Sequence, residues 1–342
     1  MFLKKWKFIL LFFFFIVFLS VLVIGLLFWK ESLKPASSSN QKVGFVIPKG
    51  YSASQIGNKL YESKLIKSPL VFKFYVQVMN KSKSMKPGEF TLSPNMGLPA
   101  IVDKLLSGPD EIWVTIPEGL RKEEIAKRYA VDLGYSGYDA DNFIKGFMSY
   151  ASDKEGFLFP DTYLFPKDVN SEKIVQKMTD NLDLKLKDYS KEFTDGKTNQ
   201  GLSIKEIIIL ASLIEREAYK NEERPIIAGI LIKRMKTKGW LLQVDATVQY
   251  AIANATCKGK SECNWWPIVL KKDLDMISSY NTYKYPGLPP SPISNPGILS
   301  IEAAIRPKDS NFWFYMHGGN RQIHYAGNIN EHNANIAKYL GK

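Results

Sequence analysis

The segment Ser203–Tyr219, which reads SIKEIIILASLIEREAY, constrains the fold of this chain more than any other. Ser203 is followed three residues later by Glu206, a capping-box pattern that predicts the start of a helix. From Ile204 to Ile214 the residues are apolar almost all round, and a helix of that composition is buried rather than lying on a surface. We therefore expect the rest of the fold to be organised around this helix.

Two carboxylates, Glu215 and Glu217, lie in the last turns of the same predicted helix. A carboxyl group held in apolar surroundings has a raised pKa and can donate a proton near neutral pH. Periodicity places both side chains beside apolar residues, and it does not choose between them. The alternative is a core helix whose polar end emerges into water without any chemical role.

Several other segments combine aromatic residues, prolines and polar groups, a composition that suits a carbohydrate site. They are EGFLFPDTY (Glu155–Tyr163), LLQVDATVQYAI (Leu241–Ile252), YNTY (Tyr280–Tyr283) and GLPPSPISNPG (Gly287–Gly297). Together with the glutamate-bearing helix, this ordered set resembles the YceG/MltG-like endolytic murein transglycosylases. The matching elements extend from about Val43 to the C-terminus.

The resemblance implies a catalytic residue and a reaction. In that family the catalytic glutamate is the first one after an Ala-Ser-aliphatic-aliphatic run, which here is Ala211–Ile214, so the match falls on Glu215. The family cleaves the MurNAc–GlcNAc β-1,4 bond of peptidoglycan without water. The 6-hydroxyl of the MurNAc attacks its own C1, and the product ends in 1,6-anhydroMurNAc. Because the attacking group is tethered within the substrate, one carboxyl can serve first as acid and then as base.

The resemblance also implies that the enzyme is a lyase without a cofactor, acting on nascent glycan strands beside peptidoglycan synthases. The predicted partners are therefore peptidoglycan strands, the cytoplasmic membrane and the synthases. The residues that we expect to position the sugar or stabilise the oxocarbenium-like state are Gln243, Asp245, Asn281, Tyr283, Glu155 and Asn295.

Structural alternatives exist for each of these candidates. Gln243 and Asp245 point to the same face if they lie on an extended strand, but they could instead cap a loop. The loop Glu155–Pro166 is either part of a sugar groove or a packed core loop. The YNTY segment and the proline-rich loop could equally be structural, since stiff loops also serve without binding a ligand.

The run Phe8–Trp29 is apolar and carries no charge. As a helix it would be roughly 33 Å long, enough to cross a bilayer core. Lys4, Lys5 and Lys7 precede it and favour an N-terminus in the cytoplasm. The alternative is a cleaved signal peptide, but the run is longer than a typical h-region and no clear cleavage site follows it. We predict a single-pass protein of the cytoplasmic (inner) membrane, with its catalytic domain outside.

The predicted fold class is α+β, in several parts. The chain begins with a cytoplasmic tail (1–7), a transmembrane helix (8–29) and a linker (30–42). It continues with a small α/β subdomain (43–110) and ends with a larger mixed α+β catalytic domain (111–342). Val43–Glu62 and Trp113–Ala130 form a weak internal repeat, each with a strand, a Pro-x-Gly turn and an amphipathic helix. The small subdomain resembles the LysM-like subdomain of the family, which would contact glycan strands. The alternative is a spacer without binding.

The sequence also predicts a strand at Gly88–Ser93 and a hairpin within Phe312–Gly327. Further helices are predicted at Leu98–Leu106, Tyr138–Tyr150 and Ser171–Tyr189. A second helix is predicted after Glu217, with Pro225 in its first turn, and a short helix ends the chain.

Composition excludes several classes of protein. With 342 residues, 45% of them hydrophobic and 23% charged, the chain is not a disordered one. The formal net charge of +12 favours anionic partners, but the basic residues are dispersed and no nucleic-acid motif is present, so we predict no nucleic-acid binding. The three histidines, His317, His324 and His332, lack metal-ligand spacing, which predicts no metal site. Cys257 and Cys263 lie in an apparent surface insertion (253–267), where we predict a local disulfide.

Two other functions fit part of these observations. A membrane-tethered glycan-binding protein without catalysis fits the apolar run, the charge and the aromatics, but it leaves the glutamate-bearing helix unexplained. A hydrolytic muramidase would use Glu215 with a second carboxylate such as Asp245, because hydrolysis needs an acid and a base or nucleophile. Analysis of the products separates the three functions. A transglycosylase leaves anhydro ends, a muramidase leaves reducing ends, and a glycan-binding protein causes no cleavage.

Overall fold

The computed structural model describes residues 2–82, 84–194, 196–258, 260 and 262–341, with side chains of the first helix from Phe14 onward. The described chain has a mixed α+β structure, as predicted. It divides into two compact units. Unit 1 consists of residues 1–113 and 164–168, and unit 2 consists of residues 114–163 and 169–342.

Unit 1 begins with a long apolar helix, α1 (Phe2–Ser32). Its segment Phe14–Ser32 has a mean hydropathy of 2.1 and is not buried by the rest of the described chain. By length and composition, this helix can cross a membrane. Near its C-terminal end, the ring of Trp29 meets the ring of Phe74 edge-on, with 5.5 Å between the centroids.

The remainder of unit 1 combines a sheet with short helices. In chain order these elements are β1 (Val43–Ile47), α2 (Ala53–Glu62), α3 (Pro69–Val78), β2 (Gly88–Leu92) and α4 (Leu98–Ser107). β1 and β2 are antiparallel, so that Phe45 lies opposite Phe90, and both belong to a core with Phe72. The sheet continues through β3 (Glu111–Thr115) and β4 (Thr162–Pro166) in the order β1-β2-β3-β4. The predicted second strand and the helix that follows it are confirmed.

Unit 2 consists mainly of helices. In chain order they are α5 (Lys122–Asp132), α6 (Gly137–Tyr150), α7 (Ser171–Lys187), α8 (Ile204–Glu217), α9 (Arg224–Lys236), α10 (Asp245–Thr256), α11 (Ile298–Ile305) and α12 (Ile329–Leu340). Short 3-10 helices lie at Ser190–Glu192, Asn221–Glu223 and Lys271–Asp275. The hairpin of β5 (Phe314–His317) and β6 (Ile323–Ala326) is antiparallel and precedes α12, as predicted.

Helix α8 lies at the centre of unit 2, and its sequence explains why. The Ser203 hydroxyl accepts from the N–H of Glu206 while the Glu206 carboxylate accepts from the N–H of Ser203, so the capping box is confirmed. Every residue from 207 to 214 is buried. Each fully buried aliphatic side chain stabilises the fold by about 1.5–3 kcal/mol, which fixes the helix in its place. The Ser212 hydroxyl also accepts from the N–H of Ile293 at 3.1 Å and so joins α8 to the proline-rich loop.

The internal repeat is confirmed as two strand–turn–helix units, β1 to α2 and β3 to α5. In each Pro-x-Gly turn the glycine has a left-handed backbone, with φ of +87° at Gly50 and +78° at Gly119, a conformation that favours glycine. The second turn lies beside the end of α8. A Cβ atom added at Gly119 would be 3.4 Å from Cγ of Glu215.

Three predictions of local structure need correction, and one helix is missing from the predictions. The predicted extended strand at Gln243 and Asp245 is wrong, because Gln243 has a left-handed φ of +54° and Asp245 is the first residue of α10. The predicted insertion at 253–267 begins inside α10. The loop Glu155–Pro166 ends in a strand, β4. Helix α11 is absent from the predictions, since its eight apolar-rich residues are too few for a helical period to be read.

Candidate active site

The last turn of α8 carries two carboxylates at one end of a buried helix. The helix ends at Glu217, because the backbone of Ala218 is extended, with φ of −91° and ψ of 133°. Glu215 and Glu217 are two residues apart, which is about 200° around the helix axis. They therefore meet different neighbours.

Both oxygens of Glu215 are occupied by protein donors. The side chain is 6% exposed, Oε1 accepts from Arg224 Nη2 at 3.3 Å and Oε2 accepts from the N–H of Gly297 at 3.0 Å. Gly297 is the N-cap residue of α11 and has no side chain to cap it, so Glu215 supplies the negative charge that this helix end favours. Burial and the charge of Glu215 raise the pKa of Glu118, whose carboxylate lies 3.9 Å from Arg224. Glu215 thus ties α8 to α9 and α11.

Glu217 has a less constrained environment. The residue has intermediate exposure, as Glu215 has, and Oε2 accepts a hydrogen bond from the Tyr315 hydroxyl at 2.8 Å. Burial raises the pKa of Glu217 to about 7; the hydrogen bond from Tyr315 opposes this shift and the charge of Asp245 adds to it. Among the described residues Glu217 forms no salt bridge. A carboxyl with this pKa exchanges a proton near neutral pH, as an acid/base catalyst must.

Arg234 of α9 fixes the groups around Glu217. This buried guanidinium donates to the carbonyl of Trp313 at 2.6 Å from Nη2 and to the carbonyl of Leu242 at 2.6 Å from Nη1. It therefore joins the strand that carries Tyr315 to the segment that leads into α10. The positive charge of Arg234 also lowers the pKa of Glu217 somewhat, against the larger effect of burial.

Three of the predicted substrate-binding residues lie together in this region. Gln243 and Asp245 are exposed, and the Tyr283 hydroxyl donates to Asp245 Oδ1 at 2.5 Å. The N–H of Gln243 donates to the carbonyl of Thr282 at 3.1 Å, which holds its left-handed backbone in place. A strained backbone at an exposed polar residue is common in functional sites. Asp245 and Tyr283 are both close enough to Glu217 to influence it electrostatically.

The other three candidates are buried and brace loops. Asn281 is 0% exposed, and its amide donates to the carbonyls of Leu274 and Met276 at 2.9 and 2.8 Å. Asn295 is also 0% exposed and donates to Glu155 Oε1 at 2.9 Å. Side chains enclosed in this way cannot reach a glycan.

Glu155 is 4% exposed, and the N–H of Lys122 donates to its Oε1 at 3.1 Å. Burial raises the pKa of Glu155 to about 8. In the structure Asn281, Asn295 and Glu155 thus brace loops, which is the structural alternative for these loops.

Two further side chains near Glu217 are visible only in the structure. Tyr315 and Arg234 complete the surroundings of Glu217, although the FWFYM run shows only an aromatic strand and Arg234 is one of several basic residues at the end of α9. The predicted disulfide between Cys257 and Cys263 is confirmed, with 5.6 Å between their Cα atoms. This bridge closes the segment that leads to Trp266.

Comparisons with known proteins agree with the resemblance. The YceG-like family matches residues 45–338. The endolytic murein transglycosylase of Bacillus subtilis is 32% identical, over 93% of this chain and 91% of its own length. That of Streptococcus pneumoniae serotype 2 is 28% identical, over 95% of this chain and 64% of its own length. A crystal structure of a yceG-like protein from Listeria monocytogenes is 31% identical and covers 86% of this chain and 99% of its own, with a TM-score of 0.54.

The family match therefore extends from β1 through the glutamate-bearing helix and the hairpin into α12, and covers every group described around Glu217. On this evidence the chain belongs to the YceG-like family.

Proposed function

We propose that this protein is a membrane-anchored endolytic transglycosylase that cleaves nascent peptidoglycan strands, with Glu217 as its single acid/base. Its family and its curated relatives identify it as a lytic transglycosylase with peptidoglycan as substrate. The observation that supports Glu217 is the combination of a pKa raised to about 7 and a single hydrogen-bond donor, the Tyr315 hydroxyl.

The choice of Glu217 departs from the register implied by the sequence resemblance, which gives Glu215. Both oxygens of Glu215 accept hydrogen bonds from protein donors that join α8 to α9 and α11, which gives this carboxylate a structural role. Glu217 has one oxygen bound to Tyr315 and the other without a hydrogen bond in the described chain. In our proposal Glu215 is a structural residue and Glu217 is the catalytic one.

The reaction requires that one carboxyl act twice. Protonated Glu217 donates its proton to the oxygen that links MurNAc C1 to the next GlcNAc, and this bond breaks. The Glu217 carboxylate then takes the proton from the 6-hydroxyl as that oxygen bonds to C1, which closes the 1,6-anhydro ring. No water is consumed, and the carboxyl ends protonated as it began. A pKa near the working pH makes both steps feasible.

The neighbouring groups have supporting roles. Tyr315 orients the carboxyl of Glu217, and Arg234 holds the strand of Tyr315. The charge of Asp245, fixed by Tyr283, is placed to stabilise the positive charge that develops at C1. Gln243 offers an exposed amide to the sugar.

The location of the enzyme is also part of the proposal. The apolar helix α1 anchors the chain in the cytoplasmic membrane, and the lysines before it keep the N-terminus inside, so that residues 43–342 lie outside. Residues 43–110 act as a LysM-like subdomain that contacts glycan strands, and residues 111–342 form the catalytic domain. An anchored enzyme meets strands as they leave the synthases, its proposed partners.

Product analysis tests this function. Full-length protein in detergent is incubated with purified uncrosslinked glycan strands, and the new ends are identified by mass spectrometry. Anhydro ends are expected. Reducing ends would instead support a hydrolytic muramidase, for which Asp245 near Glu217 offers the second carboxylate. An absence of cleavage with retained binding would leave a glycan-binding protein.

A further inference from the structure

Arg216 lies between the two glutamates at the end of α8 and has few partners of its own. Its guanidinium stacks on the indole of Trp266, with 3.7 Å between Cζ and the ring centroid. Nη1 reaches the carbonyl of Gly119 only at 3.5 Å, the limit of a hydrogen bond. Nε is buried without an acceptor, and Nη2 has none within the described residues.

The other two arginines of this region are satisfied. Arg224 donates to Glu215, to Ser300 at 2.9 Å and to Asn221 at 2.5 Å. Arg234 donates to main-chain carbonyls through all three of its nitrogens. Arg216 alone among the three keeps donors without a good acceptor.

A partly buried guanidinium whose donors lack good acceptors lowers the stability of the fold. Burial lowers the pKa of Arg216, although nearby carboxylates such as Glu124 and Glu217 counteract this effect. Removing a charged donor from water without an acceptor destabilises a protein, so an arginine in this state indicates a function more often than a packing role.

Trp266 is positioned to hold the guanidinium ready for a ligand. Its indole N–H donates to Glu124 Oε2 at 3.1 Å, so the ring is fixed from α5. It follows the disulfide at Cys263, which constrains its segment. Stacking covers one face of the guanidinium and Nε is buried, so a carboxylate would meet the end that carries Nη1 and Nη2, which matches its two oxygens.

We propose that Arg216, stacked on Trp266, binds a carboxylate of the murein substrate and thereby determines which glycan strands the enzyme accepts. This inference rests on the proposed function. Murein has carboxylates in two places, the stem peptides and, where a stem has been removed, the lactyl group of MurNAc. Arg216 directly precedes Glu217 at the end of α8, so a carboxylate bound to it would lie in the region of the acid/base.

The experiment measures binding apart from chemistry. Full-length protein carrying Glu217→Gln is the reference, and Arg216→Gln and Arg216→Lys are added to it. Three ligands are compared: stem-bearing strands, amidase-treated strands with free lactyl carboxylates, and neutral chito-oligosaccharides. The matched control is Arg306→Gln, which removes the same charge from a surface arginine lying 5.3 Å over the ring of Tyr189.

Arg216→Gln is expected to weaken binding of a carboxylate-bearing strand by about 10-fold or more, as loss of a charge-assisted bidentate contact should. The affinity of the Arg216→Lys protein should lie between those of the reference and the Arg216→Gln protein, because a point charge replaces the planar guanidinium. The chito-oligosaccharide and the Arg306→Gln protein should show less than about 2-fold change on the same scale. A loss confined to stem-bearing strands identifies the stem as the carboxylate source, and a loss confined to amidase-treated strands identifies the lactyl group.

Equal losses for all three ligands, or no loss with either anionic strand, would overturn the proposal. In the otherwise unmodified enzyme the same substitution should raise KM for anionic strands and leave kcat within about 3-fold, whereas a collapsed helix end would lower kcat on every substrate. These outcomes do not depend on the product formed. If the wild-type enzyme makes no anhydro ends, the proposed function fails while the binding result still stands.

Discussion

The two glutamates of α8 should respond to the same substitution in opposite ways. Glu217→Gln removes an ionisable group that burial keeps in an unfavourable charged state at alkaline pH. Glu215→Gln removes a charge that the fold uses to hold Arg224 and the N-terminus of α11. We therefore expect Glu217→Gln to abolish turnover and stabilise unit 2, and Glu215→Gln to destabilise it.

The expected change in the free energy of unfolding on Glu217→Gln follows from the pKa of Glu217. In the unfolded chain this carboxyl titrates near 4.5 and in the folded protein near 7, so the folded state binds the proton more tightly. The folded wild-type protein loses stability as pH rises from 4.5 to 7, and the loss stays constant above 7. The full shift corresponds to about 3 kcal/mol, and partial exposure to solvent reduces this to about 2 kcal/mol. The glutamine variant avoids that loss, so its gain is present above pH 7 and absent below pH 4.5.

The magnitude for Glu215 follows from its partners. Removing one member of a buried ion pair costs about 3–5 kcal/mol when the other is left uncompensated. Here Arg224 keeps Asn221 and Ser300 as acceptors and has Glu118 3.9 Å away, so we expect a loss of about 2 kcal/mol.

The assay follows thermal unfolding of the full-length protein in detergent at pH 5 and pH 8.5, beside turnover of glycan strands. For a unit of this size, 1 kcal/mol moves the Tm by about 2–4 °C. Turnover should fall by about 10²-fold or more in Glu217→Gln and much less in Glu215→Gln measured below its Tm. A Glu217→Gln protein that still makes anhydro ends at a near-normal rate, or that is no more stable than wild type at pH 8.5, would refute this reasoning and return the catalytic role to Glu215.

Three other outcomes are expected. A reporter active only in the cytoplasm, fused to the C-terminus, should stay silent, because the lysines before the apolar run hold the N-terminus inside; strong reporter activity would contradict the topology and the function with it. Replacing Cys257 and Cys263 with serine should lower the free energy of unfolding by about 2 kcal/mol, since the bridge joins residues six apart. Free thiols in the oxidised native protein would rule out this disulfide. Tyr315→Phe removes a hydrogen bond that lowers the pKa of Glu217, so the alkaline limb of the pH profile of kcat/KM should move to higher pH. The control is Tyr325→Phe, which changes the residue opposite Tyr315 in the hairpin and should leave that limb unmoved.

The predictions that succeeded depend on local signals. The capping box at Ser203 and the apolar run that follows specify α8 without reference to any distant residue. The hairpin and the strand–turn–helix repeats are equally local. Helix α11 carries no such signal, and it is defined instead by packing against α8 and by the carboxylate of Glu215 at its start.

The predicted substrate residues separate by burial, which their sequence neighbourhoods do not reveal. Asn281 and Tyr283 lie in the same YNTY segment, yet the Asn281 amide is enclosed by main-chain carbonyls while the Tyr283 hydroxyl reaches Asp245. A polar residue in a proline- and aromatic-rich loop has the same composition whether it braces the loop or faces a ligand. Only the positions of its hydrogen-bond partners distinguish the two.

The same reasoning explains why periodicity could not choose between the glutamates. Glu215, Arg216 and Glu217 leave the helix about 100° apart, and each therefore meets a different part of unit 2. Glu215 binds the start of α11, 82 residues further along the chain, and Glu217 binds Tyr315, 98 residues along. Because every residue from 207 to 214 is buried, α8 cannot rotate without disrupting the core, so these three directions are fixed by apolar packing several ångströms away. The directions of these three side chains thus depend on the core that orients the helix, and a change of volume within that core should misdirect all three together.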